Sequence, residues 1–186
     1  MNLDELDHRL DKLDHRPRVV LVGPMGAGKT TVANLLAEAW GLSARDTDAD
    51  IEAAEGRTVA DIFVESGEPE FRRLERDAVA RALEGHDGVL ALGGGAVLDQ
   101  STRARLAGHT VVFLRVGLSD AVKRVGLGSA RPLLLGNVRG RIKALLDERT
   151  PVYESVATLV VDTDGRSPED VAGEIRATLA DREEQA

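Results

Sequence analysis

Apolar residues along the chain follow two alternating patterns. Short continuous runs lie at 18–22, 88–92, 110–116 and 157–161, and residues 43–46 are typical of the end of one further short strand. Such runs, bounded by turn residues, predict five buried strands. Helical spacing fills the intervals, with predicted helices at 31–40, 49–54, 59–65, 69–84, 100–106, 119–125, 138–149 and 168–182. Strands that alternate with helices predict an α/β fold of three layers, in which a five-stranded parallel sheet is covered by helices on both faces.

Two stretches fall outside this alternation. Residues 1–17 are highly charged, and their apolar positions form one helical stripe: Leu3, Leu6, Leu10 and Leu13. This spacing predicts a short helix that either packs on the domain or docks a partner. Residues 126–137 are rich in Gly and hold Arg131, as is typical of a surface loop and, in a nucleotide enzyme, of a lid. We therefore expect one domain over 18–182, preceded by a charged extension.

Composition and charge exclude several classes of protein. The chain is 42% apolar, which favours a folded domain, and it has no cysteine for a disulfide framework, a thiol nucleophile or a cysteine zinc site. Its net charge of −8 disfavours nucleic acid and acidic membranes as partners. No apolar run approaches the ~20 residues that a membrane span needs. Because residues 1–17 also lack a signal-peptide pattern, we expect a cytoplasmic protein.

The run from Gly23 to Thr30 fits the phosphate-loop pattern G-x-x-x-x-G-K-[ST] at every fixed position, between a predicted strand and a predicted helix. Glycines let the backbone wrap its N–H groups around a phosphate, and the helix N-terminus favours negative charge. Lys29 would reach the terminal phosphates, and the Thr30 hydroxyl would ligate Mg²⁺. The alternative interpretation is a glycine-rich turn that binds nothing.

Polar residues follow two other predicted strands at the same edge of the sheet. Asp46 and Asp48 flank Thr47 after the second strand, and in an extended segment they would share one face. One carboxylate could then hold a magnesium-bound water while the other receives a substrate hydroxyl, although two aspartates at this spacing more often belong to a solvated turn. Gly93, Gly94 and Gly95 follow the third strand, and such a triplet indicates either a close backbone approach or a tight turn.

Arginines near these loops are candidates for binding an anion. Arg72 and Glu75 stand one turn apart on a predicted helix, which indicates either a surface ion pair or a guanidinium held for a carboxylate. Arg131 in the predicted lid and Arg149 before Thr150 and Pro151 raise the same possibility.

Six stretches, in this order and spacing, resemble the shikimate kinases from about Arg18 to the last predicted helix. They are the run from Gly23 to Thr30, Asp46-Thr47-Asp48, Gly67-Glu68 with Phe71-Arg72-Arg73-Leu74-Glu75, Leu92-Gly93-Gly94-Gly95-Ala96-Val97, Arg131-Pro132-Leu133-Leu134, and Arg149-Thr150-Pro151-Val152-Tyr153. Many families share the phosphate loop alone, whereas the complete set is specific. Residues 1–17 lie outside the resemblance.

The resemblance implies an ATP-dependent phosphotransferase. Shikimate kinases transfer the γ-phosphate of ATP to the 3-hydroxyl of shikimate, on the route to chorismate and the aromatic amino acids. Their fold is that of the nucleoside monophosphate kinases, which implies a helical substrate-binding segment at about 47–75 and a lid at about 126–137. We therefore expect ATP and shikimate as substrates, Mg²⁺ as cofactor, and a monomer without nucleic-acid or membrane partners.

The resemblance also implies a role for each site residue. The nucleotide would bind to the phosphate loop and flanking residues, namely Gly26, Ala27, Gly28, Lys29, Thr30 and Thr31, with Arg131 closing over the phosphates. Thr30 and Asp46 would hold Mg²⁺. Asp48 would bind the shikimate hydroxyls and orient or deprotonate the acceptor, and Lys29, Asp48 and Arg131 would be the catalytic residues. The remaining shikimate contacts would come from Arg72, Glu75, Gly94, Gly95 and Arg149. Arg166 matches a base-contacting arginine of the family by position only.

Two other functions remain open from the residues. A gluconate kinase of the same fold would also bind a carboxylated acceptor with Arg72 and Arg149, although the Asp46/Asp48 pair and the glycine triplet favour shikimate. A nucleotide-operated switch is the second alternative. A guanine-dependent switch would need an N-K-x-D motif, but no asparagine in the chain is followed by lysine.

Overall fold

The computed structural model describes residues 16–128 and 137–185, in which five strands alternate with eight α-helices. The strands are β1 (Val19–Val22), β2 (Ala44–Asp46), β3 (Val89–Ala91), β4 (Val111–Arg115) and β5 (Leu159–Asp162). The helices are α1 (Lys29–Trp40), α2 (Thr47–Glu55), α3 (Val59–Ser66), α4 (Glu68–Gly85), α5 (Gln100–Leu106), α6 (Leu118–Gly128), α7 (Val138–Val156) and α8 (Pro168–Glu184). A short 3₁₀ turn, Ala96–Leu98, follows β3.

All strands are parallel, in the order β2-β3-β1-β4-β5. The phosphate-loop strand β1 is central, so the loop after it lies between the carboxyl ends of β3 and β4. In open parallel sheets this edge is where ligands bind. The prediction of an α/β fold with a five-stranded parallel sheet is therefore confirmed.

The alternation of side chains along β1 divides the core into two layers. Val19 and Leu21 pack with helices α1 and α8 on one face of the sheet, whereas Val20 and Val22 pack with α4, α5 and α7 on the other. All four side chains are at most 1% exposed, as expected for a strand covered on both faces. A third, smaller cluster joins Ile51, Ile62, Phe71 and Ala78. This cluster packs α2, α3 and α4 together beside the sheet.

Three local predictions were wrong. Asp48 lies in the first turn of α2 instead of in an extended segment, because the Asp46 carboxylate caps that helix by accepting from the backbone N–H groups of Asp48 and Ala49. Helix α6, predicted at 119–125, runs from Leu118 to Gly128 and so includes the first residues of the predicted lid. Helix α7 continues past Arg149 to Val156 with Pro151 inside it.

Two further predictions concern segments that lie largely outside the described residues. The predicted extension at 1–17 falls there except for its last two residues, and so does most of the predicted lid at 126–137, including Arg131. The predicted start of the last helix at 168 is confirmed, since Pro168 begins α8 and the Ser167 hydroxyl before it accepts from the Asp170 N–H. In the described part of the chain, no helix combines the length and apolar character needed to cross a membrane.

We predict that Leu21→Ala will destabilise the fold by about 2–5 kcal/mol, because it opens a cavity at a fully buried position of the central strand. Urea unfolding followed by circular dichroism measures this change. Val64→Ala is the control, since Val64 is 87% exposed and its truncation should change stability by less than about 0.5 kcal/mol. Equal effects of the two substitutions would contradict this description of the core.

Candidate active site

A cavity of about 690 Å³ lies at the carboxyl edge of the sheet, between the phosphate loop and helices α2, α3, α4 and α7. Most of the residues predicted from the sequence line it, although they come from separate parts of the chain. They are Gly26, Gly28, Lys29, Thr30, Thr31, Asp46, Asp48, Arg72, Glu75, Gly94, Gly95 and Arg149. The fold therefore brings the predicted nucleotide and acceptor residues to a single cavity.

The phosphate loop is closed around its own lysine. The Lys29 ammonium donates to the carbonyls of Gly23 and Pro24, at 2.8 and 3.1 Å. Gly26 and Gly28 have φ angles of +82° and +89°, the left-handed region that a side chain would strain, so the loop needs glycine at both positions. Burial lowers the pKa of Lys29 to about 8, although Asp48 and Asp46 oppose the shift. Lys29 is thus a cation that loses its proton more readily than a surface lysine.

Thr30 and Asp46 form a direct contact across the cavity wall. The Thr30 hydroxyl donates to the Asp46 carboxylate at 2.7 Å, and the other carboxylate oxygen is held by the start of α2. Hydroxyl and carboxylate oxygens are ligands that suit Mg²⁺. Within the described residues, no group of three or more acidic, His or Cys side chains could enclose a metal ion. This pair therefore fits an ion whose remaining ligands are phosphate and water, as is usual for Mg²⁺.

Asp48 is a carboxyl group with an unusual pKa. Burial raises the pKa to about 6, the charges of Asp46 and Glu75 add to the rise, and Lys29 opposes it. Its Oδ1 atom is buried and has no hydrogen-bond partner in the described residues. A carboxylate with an unsatisfied oxygen beside a cavity can accept a proton from a bound hydroxyl.

Arg72 is fixed from three sides. Its Nη1 donates to the buried Glu75 carboxylate at 2.6 Å, and its Nε and Nη2 donate to Glu68 at 3.3 and 3.2 Å. The guanidinium lies over the rings of Phe63 and Phe71, 5.9 and 5.4 Å from their centroids. Because Glu75 is only 2% exposed, the predicted surface pair is instead a partly buried one. Burial raises the pKa of Glu75, with Arg72 opposing the shift.

The glycine triplet approaches these charged groups closely. A Cβ at Gly93 would lie 2.5 Å from Asp48 Oδ1 and 2.8 Å from Glu75 Oε1, and a Cβ at Gly95 would overlap the Arg72 guanidinium. The Gly93 N–H donates to the buried Thr47 hydroxyl at 3.2 Å, which ties the turn to α2. Of the two interpretations of the triplet, close backbone approach is therefore correct.

Arg149 reaches the cavity from α7. Its Nε is buried without a hydrogen-bond partner among the described residues. One turn further along α7, the Tyr153 hydroxyl donates to the Gly94 carbonyl at 2.5 Å, and its ring stacks on Phe113 with centroids 5.0 Å apart. Tyr153 thereby fixes α7 against the glycine turn. The sequence did not indicate this contact, because the predicted helix ended at Arg149 and the structure continues it to Val156.

Two predicted nucleotide residues do not line the cavity, and a third lies outside the described residues. Arg166 does not line the cavity, because its guanidinium donates to Glu174 at 2.5 Å and to the carbonyls of Asp162 and Asp170. Ala27, which belongs to the phosphate loop, is buried and does not line the cavity either. Arg131 lies outside the described residues.

Arg124 is a residue that the sequence did not single out. From α6 it donates to the Gly26 carbonyl of the phosphate loop at 3.2 Å, and to the hydroxyl and carbonyl of Thr163 at 3.0 and 2.7 Å. Asp120, one turn earlier, accepts from Arg124 and from the Gly165 N–H. Arg124 thus joins the phosphate loop to the loop after β5. Nothing in its spacing distinguished it from the other arginines.

Comparison with known proteins gives a consistent result. Residues 25–180 match the family model described as "Shikimate kinase". The chain is 60% identical over 160 residues to a shikimate kinase of Thermobifida fusca, covering 86% of this chain and 93% of that protein. It is 58% identical over 164 residues to one of Salinispora arenicola, covering 88% and 98%.

A solved structure agrees with the sequence relatives. A shikimate kinase from Acinetobacter baumannii, in complex with shikimate, superposes with a TM-score of 0.83 at 33% identity. The superposition covers 92% of this chain and 97% of that one.

We predict that Asp48→Asn will stabilise the fold above pH 6. The pKa of Asp48 is raised in the folded protein, so ionised Asp48 favours the unfolded chain, and the parent loses stability as the pH rises from about 4 to about 6. The variant does not titrate there and should gain roughly 3 kcal/mol at pH 7.5 and nothing below pH 4. Urea unfolding at a series of pH values measures the difference. Exposed Asp87→Asn is the control, and a gain for Asp48→Asn that is equal at all pH values would contradict the assignment.

Proposed function

The chain belongs to the shikimate kinase family, and we propose that it transfers the γ-phosphate of ATP to the 3-hydroxyl of shikimate, giving shikimate 3-phosphate and ADP. The observation that carries the proposal is the single cavity that is lined by the phosphate loop together with Asp48, Arg72 and Arg149. Such a cavity holds a nucleoside triphosphate and a small hydroxylated carboxylate side by side.

The phosphate loop is the donor side of the reaction. Backbone N–H groups of the loop and the N-terminus of α1 surround the β- and γ-phosphates, as in other phosphate loops. The contacts of Lys29 with two loop carbonyls already shape the loop before the nucleotide binds. On binding, the ammonium exchanges these carbonyls for phosphate oxygens. Thr30 and Asp46 hold Mg²⁺, which, when bound, neutralises charge on the phosphate oxygens.

Arg72 and Arg149 are the acceptor side. A carboxylate suits a guanidinium because two parallel N–H groups can bind its two oxygens. Arg72 is held in one orientation by the buried Glu75, while Arg149 has a buried Nε that a ligand would satisfy. Gly94 and Gly95 present backbone to the ring of the acceptor, and a larger residue at Gly95 would push Arg72 aside.

Asp48 and Lys29 act on the transferred group. Asp48 accepts the proton of the acceptor hydroxyl while that oxygen forms its bond to the γ-phosphorus, and the bond from phosphorus to the bridging oxygen breaks to release ADP. Lys29 stabilises the charge that develops on the phosphate oxygens. Phosphoryl transfer needs positioning and charge neutralisation above all, and residues of this cavity supply both.

The monomeric state, the cytoplasmic location and the lid role of Arg131 stay predictions.

Purified protein with Mg-ATP tests the activity directly. We expect ADP release to depend on shikimate, with release in the presence of gluconate no faster than without an acceptor. A coupled assay for ADP measures all three conditions, and mass spectrometry of the product identifies shikimate 3-phosphate. ADP release at the same rate without shikimate would overturn the proposal, and release that depended on gluconate would favour a gluconate kinase.

We predict a bell-shaped pH dependence of kcat/KM for shikimate. Asp48 must be ionised to accept the proton, so the rate should rise as the pH passes its pKa of about 6. Lys29 must be protonated, so the rate should fall above its pKa of about 8. Asp48→Asn should lower the rate by roughly 10²–10⁴-fold and remove the acidic limb. A parent rate that stayed constant between pH 5 and 7 would contradict the role of Asp48.

A further inference from the structure

Two carboxylates bind Arg72 at the cavity, and they differ in their burial. Glu75 takes Nη1 at 2.6 Å, and its side chain is 3% exposed. Glu68 takes Nε and Nη2 through a single oxygen at 3.3 and 3.2 Å, and its side chain is 61% exposed. Nε and Nη2 form one of the two edges of a guanidinium that can bind a carboxylate with parallel hydrogen bonds.

We propose that Glu68 is a displaceable counter-ion of Arg72 that sets the affinity and the selectivity of the acceptor site. This proposal rests on the proposed function, because the incoming carboxylate is that of shikimate. Glu68 lines the cavity, as Arg72 does, so a bound carboxylate and Glu68 compete for the same edge of the guanidinium. Glu75 remains in place and keeps the guanidinium oriented during the exchange.

Exposure makes the exchange possible. An ion pair with a well-solvated partner contributes little to stability, so the separation of Glu68 from Arg72 costs little free energy. The buried Glu75 has no such freedom, because separating a buried pair leaves an uncompensated charge. Of the two carboxylates, only Glu68 can therefore be exchanged for a ligand.

Competition of this kind distinguishes between acceptors. A carboxylated acceptor replaces one carboxylate by another, so Arg72 keeps a full complement of charge. A neutral acceptor cannot replace Glu68, and Glu68 then stays in the cavity and excludes it. Selectivity arises here from the Glu68–Arg72 pair that the acceptor must separate, as well as from the contacts that the acceptor makes.

Glu68→Gln removes the competing charge while keeping the size of the side chain. We expect the KM for shikimate to fall by about two- to five-fold, the range that corresponds to an exposed ion pair, while the KM for ATP stays at the parent value. The KM for the neutral carboxamide analogue of shikimate should fall at least as far, because Glu68 no longer excludes a neutral acceptor. Steady-state ADP release at low ionic strength measures the three constants.

Glu70→Gln is the matched control. Glu70 lies in the same first turn of α4 as Glu68, so its substitution removes the same charge at the same helix end. Glu70 pairs with Arg73, however, and neither of these two residues lines the cavity. Its KM values should equal those of the parent. A fall of the same size in both variants would show that the effect is long-range electrostatics and would overturn the role of Glu68.

The remaining outcomes are also decisive. A rise in the KM for shikimate in Glu68→Gln would show that Glu68 orients Arg72 for binding, and an unchanged KM would show that the pair is idle; either result overturns the proposal while leaving the kinase activity intact. A parent protein that did not turn over shikimate would instead overturn the proposed function and, with it, this inference.

Discussion

The acceptor half of the cavity depends on how closely the glycine turn after β3 approaches the charged side chains of α2 and α4. Gly93 lies against Asp48 and Glu75, and Gly95 lies against Arg72, at distances that leave no room for a methyl group. The turn is held there by the Thr47 hydroxyl from α2 and by the Tyr153 hydroxyl from α7. Three helices are thus fixed around one short stretch of backbone, and the geometry of the site follows from that stretch.

Burial acts on the two central titratable groups in opposite directions. It raises the pKa of Asp48 towards 6 and lowers that of Lys29 towards 8, since desolvation disfavours the charged form of each. The two groups are thereby both charged only in a narrow pH interval around neutrality. Asp48 raises the pKa of Lys29 and Lys29 lowers that of Asp48, so each partly offsets the effect of burial on the other.

The sequence predicted the sheet, the phosphate loop and most of the cavity, because these depend on local patterns. The apolar run at Val19–Val22 and the spacing of Gly28, Lys29 and Thr30 are readable within one segment. The conformation of Asp48 was not, since it depends on Asp46 capping α2. The burial of Glu75 was missed as well, because it results from packing against a turn about twenty residues further along the chain.

Long-range polar contacts were beyond sequence patterns. The contacts of Arg166 are an example, because its position after a strand does not say which carboxylate the guanidinium will meet, and in the structure it pairs with Glu174 of α8. The bridge from Arg124 to Gly26 joins residues 98 positions apart, and no spacing rule relates them.

The tether between Tyr153 and Gly94 bears on how such a site can change during evolution. A side chain at Gly93 would collide with residues of α2 and α4, and one at Gly95 with a residue of α4, so new acceptor chemistry introduced at these positions would come with a loss of stability. The first turn of α4 carries no such burden, because Glu68 is held only by an exposed contact. Divergence of acceptor preference is therefore easiest at the solvent-facing rim of the cavity, while its floor stays constant.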